Sequence, residues 1–484
     1  MKTENKIFYS CLVILFNLFL LSCKTHAPFV NKKEVSATGR IVVRQQPNII
    51  IILADDLGYG DLGSYGQKII QTPHLDQMAK EGMRFTNFYS GSTVCAPSRA
   101  SMMTGQHTGR TYIRGNGELP LREQDTILPQ VLKQKGYTNG MVGKWGLGLQ
   151  NTTGVPEKKG WDFFTGHLHH VEGHFQQSDS VWKMINGVSY KVPVPTGTYM
   201  NELFTEAAID FIKQNKDNPF FLYVAYTLPH AELKVPQRFL QRYRDKSGNS
   251  RFKPENAQPA GLHYGAQLHP KAAYAAMITS MDVYIGSIFH QLKEDGLENN
   301  TIVIFTSDNG THTEGGRKLQ DALEFFKSSG PLRGVKRDLY EGGIRVPFIV
   351  KWPGRIPAHS TSEELGAFWD VLPTLGELTG TPVSPNNGIS FLPALLGQPQ
   401  TKQHKYLYWE FYERGFKQAV RKGIWKAIRF YNGSQPVRTE LYNLTTDRGE
   451  KNNIAEMNPA IVKDMESFMD EAHRPSESNM FQIK

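Results

Sequence analysis

Residues 47–56 read PNIIIILADD. Ile49 to Leu53 are apolar at every position, so a strand built from them presents apolar surface on both faces. Such a strand is stable where a sheet is covered on both sides, as parallel sheets are. The run then stops on two carboxylates, Asp55 and Asp56. The same design returns along the chain. Thr138–Val142 leads into Gly143-Lys144-Trp145, Phe220–Tyr226 runs on to Pro229-His230, and Thr301–Thr306 stops at Ser307-Asp308-Asn309. Val346–Lys351 closes a further run at Trp352. Between them lie a proline-led helix start at Thr72-Pro73 and helical spacing over Asp125–Lys135, Glu202–Gln214, Ala272–Lys293 and Phe368–Thr379. This alternation predicts an α/β fold, with a large central, mostly parallel sheet flanked by helices. Ligands of such sheets collect at the carboxyl ends of the strands. Asp55, Asp56, Lys144, His230, Asp308 and Asn309 all follow a strand there, and would meet on one edge. From about Pro382 the pattern changes to antiparallel strands and a terminal helix over Pro459–His473. The reading is a catalytic domain over 47–380 and a smaller C-terminal α+β subdomain with an antiparallel sheet over 381–484.

The chain has 484 residues, 39% hydrophobic and 21% charged, enough for a substantial core. Lys2 and Lys6 precede the apolar run CLVILFNLFLLSC, which is too short for a confident membrane span and reads as an export signal. Its end, Leu20-Leu21-Ser22-Cys23, resembles a bacterial lipobox; a plain signal peptide ending in cysteine is the competing reading. The expectation is a lipoprotein signal peptide over 1–22, a membrane anchor through lipid on Cys23, and a tether over 23–46. The protein would then be exported, to the periplasm or the outer-membrane surface. Of the three cysteines, Cys11 would leave with the signal and Cys23 would be acylated. Cys95 is left without a disulfide partner, so it is buried, reactive or modified. A net charge of +9 suits an anionic substrate or surface. The sequence carries no zinc-knuckle spacing, RNA-recognition motif or long basic run, so no nucleic-acid partner is expected.

Asp55-Asp56 and Asp308-Asn309 offer only oxygen ligands, which favours a hard cation such as calcium or magnesium. Either pair alone reads equally well as a turn former or helix cap. Both pairs at the ends of core strands favour a metal. Asp61 reads as a cap or turn residue. In TVCAPSRASMMTG, residues 93–105, Pro97 suits a first helical turn and Gly105 ends the helix. Cys95 therefore stands at a helix N-terminus, where free N–H groups bind oxyanions and lower a thiol pKa.

Cys95-Ala96-Pro97-Ser98-Arg99, continuing through Met103-Thr104-Gly105, resembles the signature of the type I, formylglycine-dependent sulfatases. The likeness extends to NIIIILADDLGYGDLGSYG from Asn48, Gly143-Lys144-Trp145, Pro229-His230, Ser307-Asp308-Asn309-Gly310, Leu332–Lys336, Glu341–Pro347 and ELYNLTTDRGEKNNIA at 440–455. The resemblance implies an alkaline-phosphatase/sulfatase-like fold and hydrolysis of sulfate monoesters. It implies that a sulfatase-maturating enzyme oxidises Cys95 to formylglycine, whose hydrate attacks sulfur. It further implies that Asp55, Asp56, Asp308, Asn309 and the modified residue 95 bind one calcium (Ca2+). Arg99 would hold the modified residue, Lys144 and Lys336 would contact the sulfate or leaving oxygen, and His230 would assist its protonation.

Many relatives read Gly-Lys-Trp-His at the lysine strand, and that histidine is assigned to release sulfate. This chain has Gly146 there. The following GHLHHVEGH places His167, His169, His170 and His174 nearby, with His170 and His174 the better candidates for a substitute or for substrate binding. Tyr59, Tyr65, Trp161 and Trp182 read either as sugar-stacking walls or as core. The substrate expected is a sulfated carbohydrate, guessed as galactose or N-acetylgalactosamine in type. The alternatives are a phosphomonoester, phosphodiester or phosphonate hydrolase of the same superfamily, and a non-catalytic surface protein that binds sulfated glycan.

Overall fold

The computed structural model describes residues 34–35, 41–42, 46–255, 257–261 and 263–483. The signal peptide read over 1–22, the anchor at Cys23 and most of the tether lie outside the described residues. Glu34–Val35 and Ile41–Val42 pair as an antiparallel ladder within a unit of their own, separate from residues 45–484.

In the second unit, ten strands form one sheet. In chain order they are β1 (Asn48–Asp55), β2 (Met83–Phe85), β3 (Thr138–Lys144), β4 (Phe163–His167), β5 (Gln177–Ile185), β6 (Val188–Tyr199), β7 (Phe220–Pro229), β8 (Thr301–Ser307), β9 (Phe348–Lys351) and β10 (Ser360–Ser362). Their spatial order is β10-β2-β9-β8-β1-β7-β3-β4-β5-β6. The central five, β8, β1, β7, β3 and β4, run parallel, with Ile51 opposite Ile304 on one side and Tyr223 on the other. Each residue from Ile49 to Leu53 is fully buried. The pleat divides them: Ile50 and Ile52 join one core, and Ile49, Ile51 and Leu53 the other. At about 1.5–3 kcal/mol per buried large aliphatic side chain, this strand alone is a major anchor.

Helices α1 (Pro73–Glu81), α4 (Met200–Asn215) and α5 (Pro270–Glu294) cover the first face; α2 (Cys95–Thr104), α3 (Leu128–Lys133) and α6 (Val371–Thr379) cover the second. Val346–Lys351 was read with the parallel runs, but β9 is antiparallel to β8. After Ser307 the chain stays at the carboxyl edge, where Gly310 N–H donates to the Gly343 carbonyl and Lys336 N–H to the Thr311 carbonyl. It re-enters the sheet from that end and must run back.

A four-stranded antiparallel sheet follows: β11 (Leu407–Phe411), β12 (Lys417–Lys422), β13 (Trp425–Asn432) and β14 (Gln435–Asn443). Helix α7 (Pro459–Ala472) packs on one face through Met465, Met469 and Ala472. The other face, with Trp409, meets Tyr89, Val94 and Trp369. Trp409 Nε1 donates to the Ser90 carbonyl at 2.9 Å. The C-terminal subdomain thus buttresses the loop that delivers Cys95 to α2.

Candidate active site

Every residue of α2 from Cys95 to Met103 is buried. Val94 approaches it in extended conformation, and Gly105 ends it with φ +69°. Asn116 Oδ1 accepts the Ala96 N–H at 3.0 Å, satisfying one donor of the open first turn. Cys95 Sγ lies 3.4 Å from Asp55 Oδ1. Burial, then the charge on Asp55, pushes this thiol well above its ordinary value. The lowered pKa that a helix N-terminus implies is therefore overridden: the unmodified side chain stays a protonated thiol.

The strand ends bring the other predicted residues to the same place. Lys144 Nζ sits 2.6 Å from Asp55 Oδ2, with both side chains fully buried. Gly143, at φ +96°, permits this ending to β3: a Cβ there would lie 1.9 Å from the Ala225 carbonyl oxygen. Arg99 grips Asp308 Oδ2 through Nε at 3.0 Å and Nη2 at 2.7 Å, and donates from Nη1 to the Lys144 carbonyl at 2.7 Å. Lys336 Nζ reaches Asp56 Oδ2 at 2.8 Å and His230 Nε2 at 3.1 Å. Asn309 Nδ2 donates to Asp56 Oδ1 at 2.6 Å. Asp56 adopts φ +67°, in the left-handed region.

Three buried carboxylates are thus matched by three buried cations. Burial opposes the ionisation of Asp55, but Lys144 above all, with Arg99 and Lys336, holds its carboxyl well below the usual range. Burial and then Asp55 push the Asp308 carboxyl up, to about 7, against the pull of Arg99. A divalent cation would relieve that crowding. Ligand atoms of Asp55, Asp56, Cys95 and His230 all lie within 4.8 Å of one another. Asn309 Oδ1 is buried without a partner, an oxygen lone pair left free beside them. The donor set is mostly oxygen and fits a hard cation.

Burial, then Lys336, drives the His230 pKa well down, so the imidazole is neutral. Its Nδ1 faces the Ala231 carbonyl and therefore carries the hydrogen, leaving the Nε2 lone pair to Lys336. His174 stacks on His230 with ring centroids 4.2 Å apart. His170 lies 5.9 Å from His174, and a Cβ built on Gly146 would meet only the His170 Cβ, at 3.6 Å. Burial, then Lys144, lowers the His170 pKa to about 4. His167 turns away onto Phe204, a core histidine. His169 pairs with Glu118 at 2.7 Å; the Val171 N–H at its Nδ1 puts the ring hydrogen on Nε2, toward the carboxylate.

Two groups of residues were not anticipated. Glu314 touches the site from outside, 3.7 Å from His230 Nε2, held by Arg337 and by the Tyr264 hydroxyl at 3.0 Å. His263 Nε2 meets His174 Nδ1 at 2.9 Å. Their loops carry no periodic signal. Trp161 and Tyr59 prove to be core: Trp161 stacks on Phe221 and Tyr223, and Tyr59 packs edge-on against Tyr65. Trp182 is half-buried and donates to Glu172 rather than lining the cluster. Asp61 accepts the Gly58 N–H and the Tyr274 hydroxyl, the turn role expected of it.

The family model described as Sulfatase matches residues 47–381, and that described as N-sulphoglucosamine sulphohydrolase, C-terminal, matches 335–474. N-acetylgalactosamine-6-sulfatase of Canis lupus familiaris is 33% identical over 403 residues, covering 78% of this chain and 71% of the relative. Arylsulfatase A of Homo sapiens is 31% identical over 465 residues, covering 86% and 84%. The crystal structure of Ps i-CgsB superposes with a TM-score of 0.71 at 26% identity, covering 88% of this chain and 92% of that one. The phosphonate monoester hydrolase of Agrobacterium radiobacter shares the fold, with a TM-score of 0.64 at 19% identity over 88% and 95% of the two chains. With the motif residues gathered on one sheet edge, these matches establish that the chain belongs to the sulfatase family and is a sulfuric ester hydrolase.

Proposed function

We propose that the protein removes sulfate from a sulfated carbohydrate of galactose or N-acetylgalactosamine type, using a formylglycine made from Cys95 and one bound calcium. The observation that carries this reading is the packing of Cys95 against Asp55, whose other oxygen holds Lys144, beside the Arg99–Asp308 and Lys336–Asp56 pairs and a free Asn309 oxygen. A buried, protonated thiol is a poor nucleophile, which supports its conversion to another group. Asp55, Asp56, Asp308 and Asn309 would hold the ion together with residue 95. When present, the hydrated aldehyde supplies the attacking hydroxyl and the ion neutralises charge on the sulfate oxygens. Arg99 fixes Asp308 and the Lys144 backbone, keeping the lysine strand end in register with α2. Lys144 and Lys336 present ammonium groups to the sulfate. Lys336, steered by neutral His230, holds the proton nearest the leaving oxygen. His170, neutral and beside Gly146, is the better placed of the two rim histidines to accept a proton as sulfate leaves; His174 shapes the wall over His230.

The sugar assignment is supported by the relatives named for N-acetylgalactosamine 6-sulfate. Maturation of Cys95 by a sulfatase-maturating enzyme, and anchoring at Cys23 in the periplasm or on the outer-membrane surface, belong to the same proposal. Mass spectrometry of membrane-extracted protein tests the anchor: an unlipidated N-terminus overturns it. For the activity, purified protein co-produced with a maturase is offered aryl sulfate, aryl phosphate and sulfated N-acetylgalactosamine. Turnover of the sulfates with little of the phosphate is expected. Preference for the phosphate overturns the reading.

A further inference from the structure

Five consecutive residues, Glu172 to Gln176, form a turn that touches the site at successive points. Gly173 lies against the stem of Lys144: a Cβ built on it would stand 2.9 Å from Lys144 Cδ, 3.2 Å from Cγ and 3.4 Å from Thr227 Cγ2. The absence of a side chain lets the turn's backbone lie on the lysine. His174 places its ring on His230, and its carbonyl accepts the Glu232 N–H. Gln176, fully buried, donates from Nε2 to the His230 carbonyl at 3.0 Å, while its Oε1 accepts from Asn201 at 2.8 Å and Thr227 at 2.9 Å. On the outer side, the Glu172 carboxylate takes Trp182 Nε1 at 3.1 Å and Lys191 Nζ at 2.9 Å. Both partners belong to the β5–β6 hairpin, at the edge of the sheet.

We propose that Gly173 is a positioning residue for Lys144, and that the Glu172–Gln176 turn, fastened from outside by the β5–β6 hairpin, sets Lys144 and the His230 backbone as one unit. The physical basis is a confined stem. Lys144 has four rotatable bonds, and its ammonium must reach Asp55 from below the turn. With Gly173 seated on Cγ and Cδ, few rotamers remain. A methyl group at 173 stands 2.9 Å from Cδ, inside ordinary contact distance, so the lysine stem or the turn must shift by several tenths of an ångström. A misplacement of about 1 Å at such a site costs roughly a hundredfold in rate, which sets the upper end of the effect. Loosening Glu172 gives the stem more room, with a smaller effect.

The inference rests on Lys144 acting on the substrate anion, so Lys144→Ala is measured beside Gly173→Ala and Glu172→Gln in the matured, calcium-loaded full chain. Steady-state constants with aryl sulfate and thermal melting are recorded. Inorganic sulfate binding is measured by calorimetry in a Cys95→Ala background, a readout independent of maturation. Gly173→Ala is expected to lower kcat about 10- to 100-fold with KM changed less than about threefold, and to weaken sulfate binding about tenfold. Glu172→Gln is expected to lower kcat about threefold with melting little changed. If Lys144→Ala keeps full activity, the role given to Lys144 is wrong. If Lys144→Ala is inactive while Gly173→Ala matches the parent in turnover and sulfate affinity, the positioning inference is overturned. Should Gly173→Ala fail to fold, Glu172→Gln carries the test, because it adds no atom near Lys144; parental kcat and sulfate affinity in that variant contradict the proposal.

Discussion

Lys144 Nζ and Asp55 Oδ2 stand 2.6 Å apart at the ends of β3 and β1, neither with any exposed surface. Two strands nearly ninety residues apart in sequence therefore end on one buried ion pair, with β7 between them in the sheet. Burying two charges is costly unless they are paired, and breaking such a pair costs about 3–5 kcal/mol. Lys144→Ala is expected to lower kcat/KM by about 10²–10³ and to lower the melting temperature of the metal-free protein. Lys144→Arg is not expected to rescue it, because a planar fork cannot replace a point charge in a closed site. Aryl sulfate kinetics and thermal melts check both statements.

Chelation is expected to abolish turnover and lower the melting temperature, and calcium to restore both. Asp55 and Asp56, with Asp308 accepting the Asp56 N–H beside them and the free Asn309 oxygen, favour a hard ion. Zinc is therefore expected to restore little. The check is titration of the chelated protein with each ion, followed by melting and aryl sulfate hydrolysis.

The stack of His174 on His230 gives a graded prediction. Aromatic pairs contribute about 0.5–1.5 kcal/mol beyond burial. His174→Ala is expected to cost about three- to tenfold in kcat/KM. His170→Ala is expected to leave the first turnover intact and slow the later ones, since that side chain stands beside Gly146. Burst kinetics separates the two phases; equal rates in both phases for His170→Ala contradict the role given to it.

At the seam with the C-terminal subdomain, Lys426 lies between Glu341 at 3.0 Å and Glu450 at 2.9 Å, all three buried. Burial, then the pull of Lys426 and the repulsion of Glu341, leaves the Glu450 carboxyl raised from about 4.5 to about 7. The unfolded chain releases this proton first as pH rises, so stability falls between about pH 4.5 and 7 and is flat above. The Glu341 carboxyl, held down to about 2 chiefly by Lys426 against its burial, acts oppositely: its contribution is lost only as pH falls from about 4.5 toward 2. Glu450→Gln removes the first effect alone. Its stability relative to the parent is expected to rise by up to about 3 kcal/mol between about pH 5 and pH 8, at about 1.4 kcal/mol per unit. Urea unfolding at the two pH values measures it.

The central sheet was legible because Ile49–Leu53, Phe220–Tyr226 and Thr301–Thr306 are apolar on both faces, and few environments accept that pattern. Their charged endings located the site edge for the same reason. The β5–β6 hairpin was not read, although Asn186-Gly187 is a turn signal and both residues have positive φ. Its strands keep Ser178, Ser180, Lys183 and Lys191 partly or fully exposed, with Pro193 and Pro195 in the edge strand, so hydrophobic periodicity is weak there. The approach of Gly173 to Lys144 and the contact of Glu314 with His230 depend on loop paths that no local pattern encodes. Of the three readings left open for Cys95, the burial and the Asp55 charge beside it disfavour a free thiolate, a balance that the helix terminus alone does not encode.

The most direct test of the account is intact-peptide mass spectrometry on residue 95, paired with aryl sulfate turnover on the same preparations, made with and without a sulfatase-maturating enzyme. The account predicts an aldehyde at position 95 in matured protein, and a turnover number that scales with the aldehyde fraction and vanishes for Cys95→Ala. Full turnover by protein whose residue 95 remains a thiol, or is alanine, would contradict it.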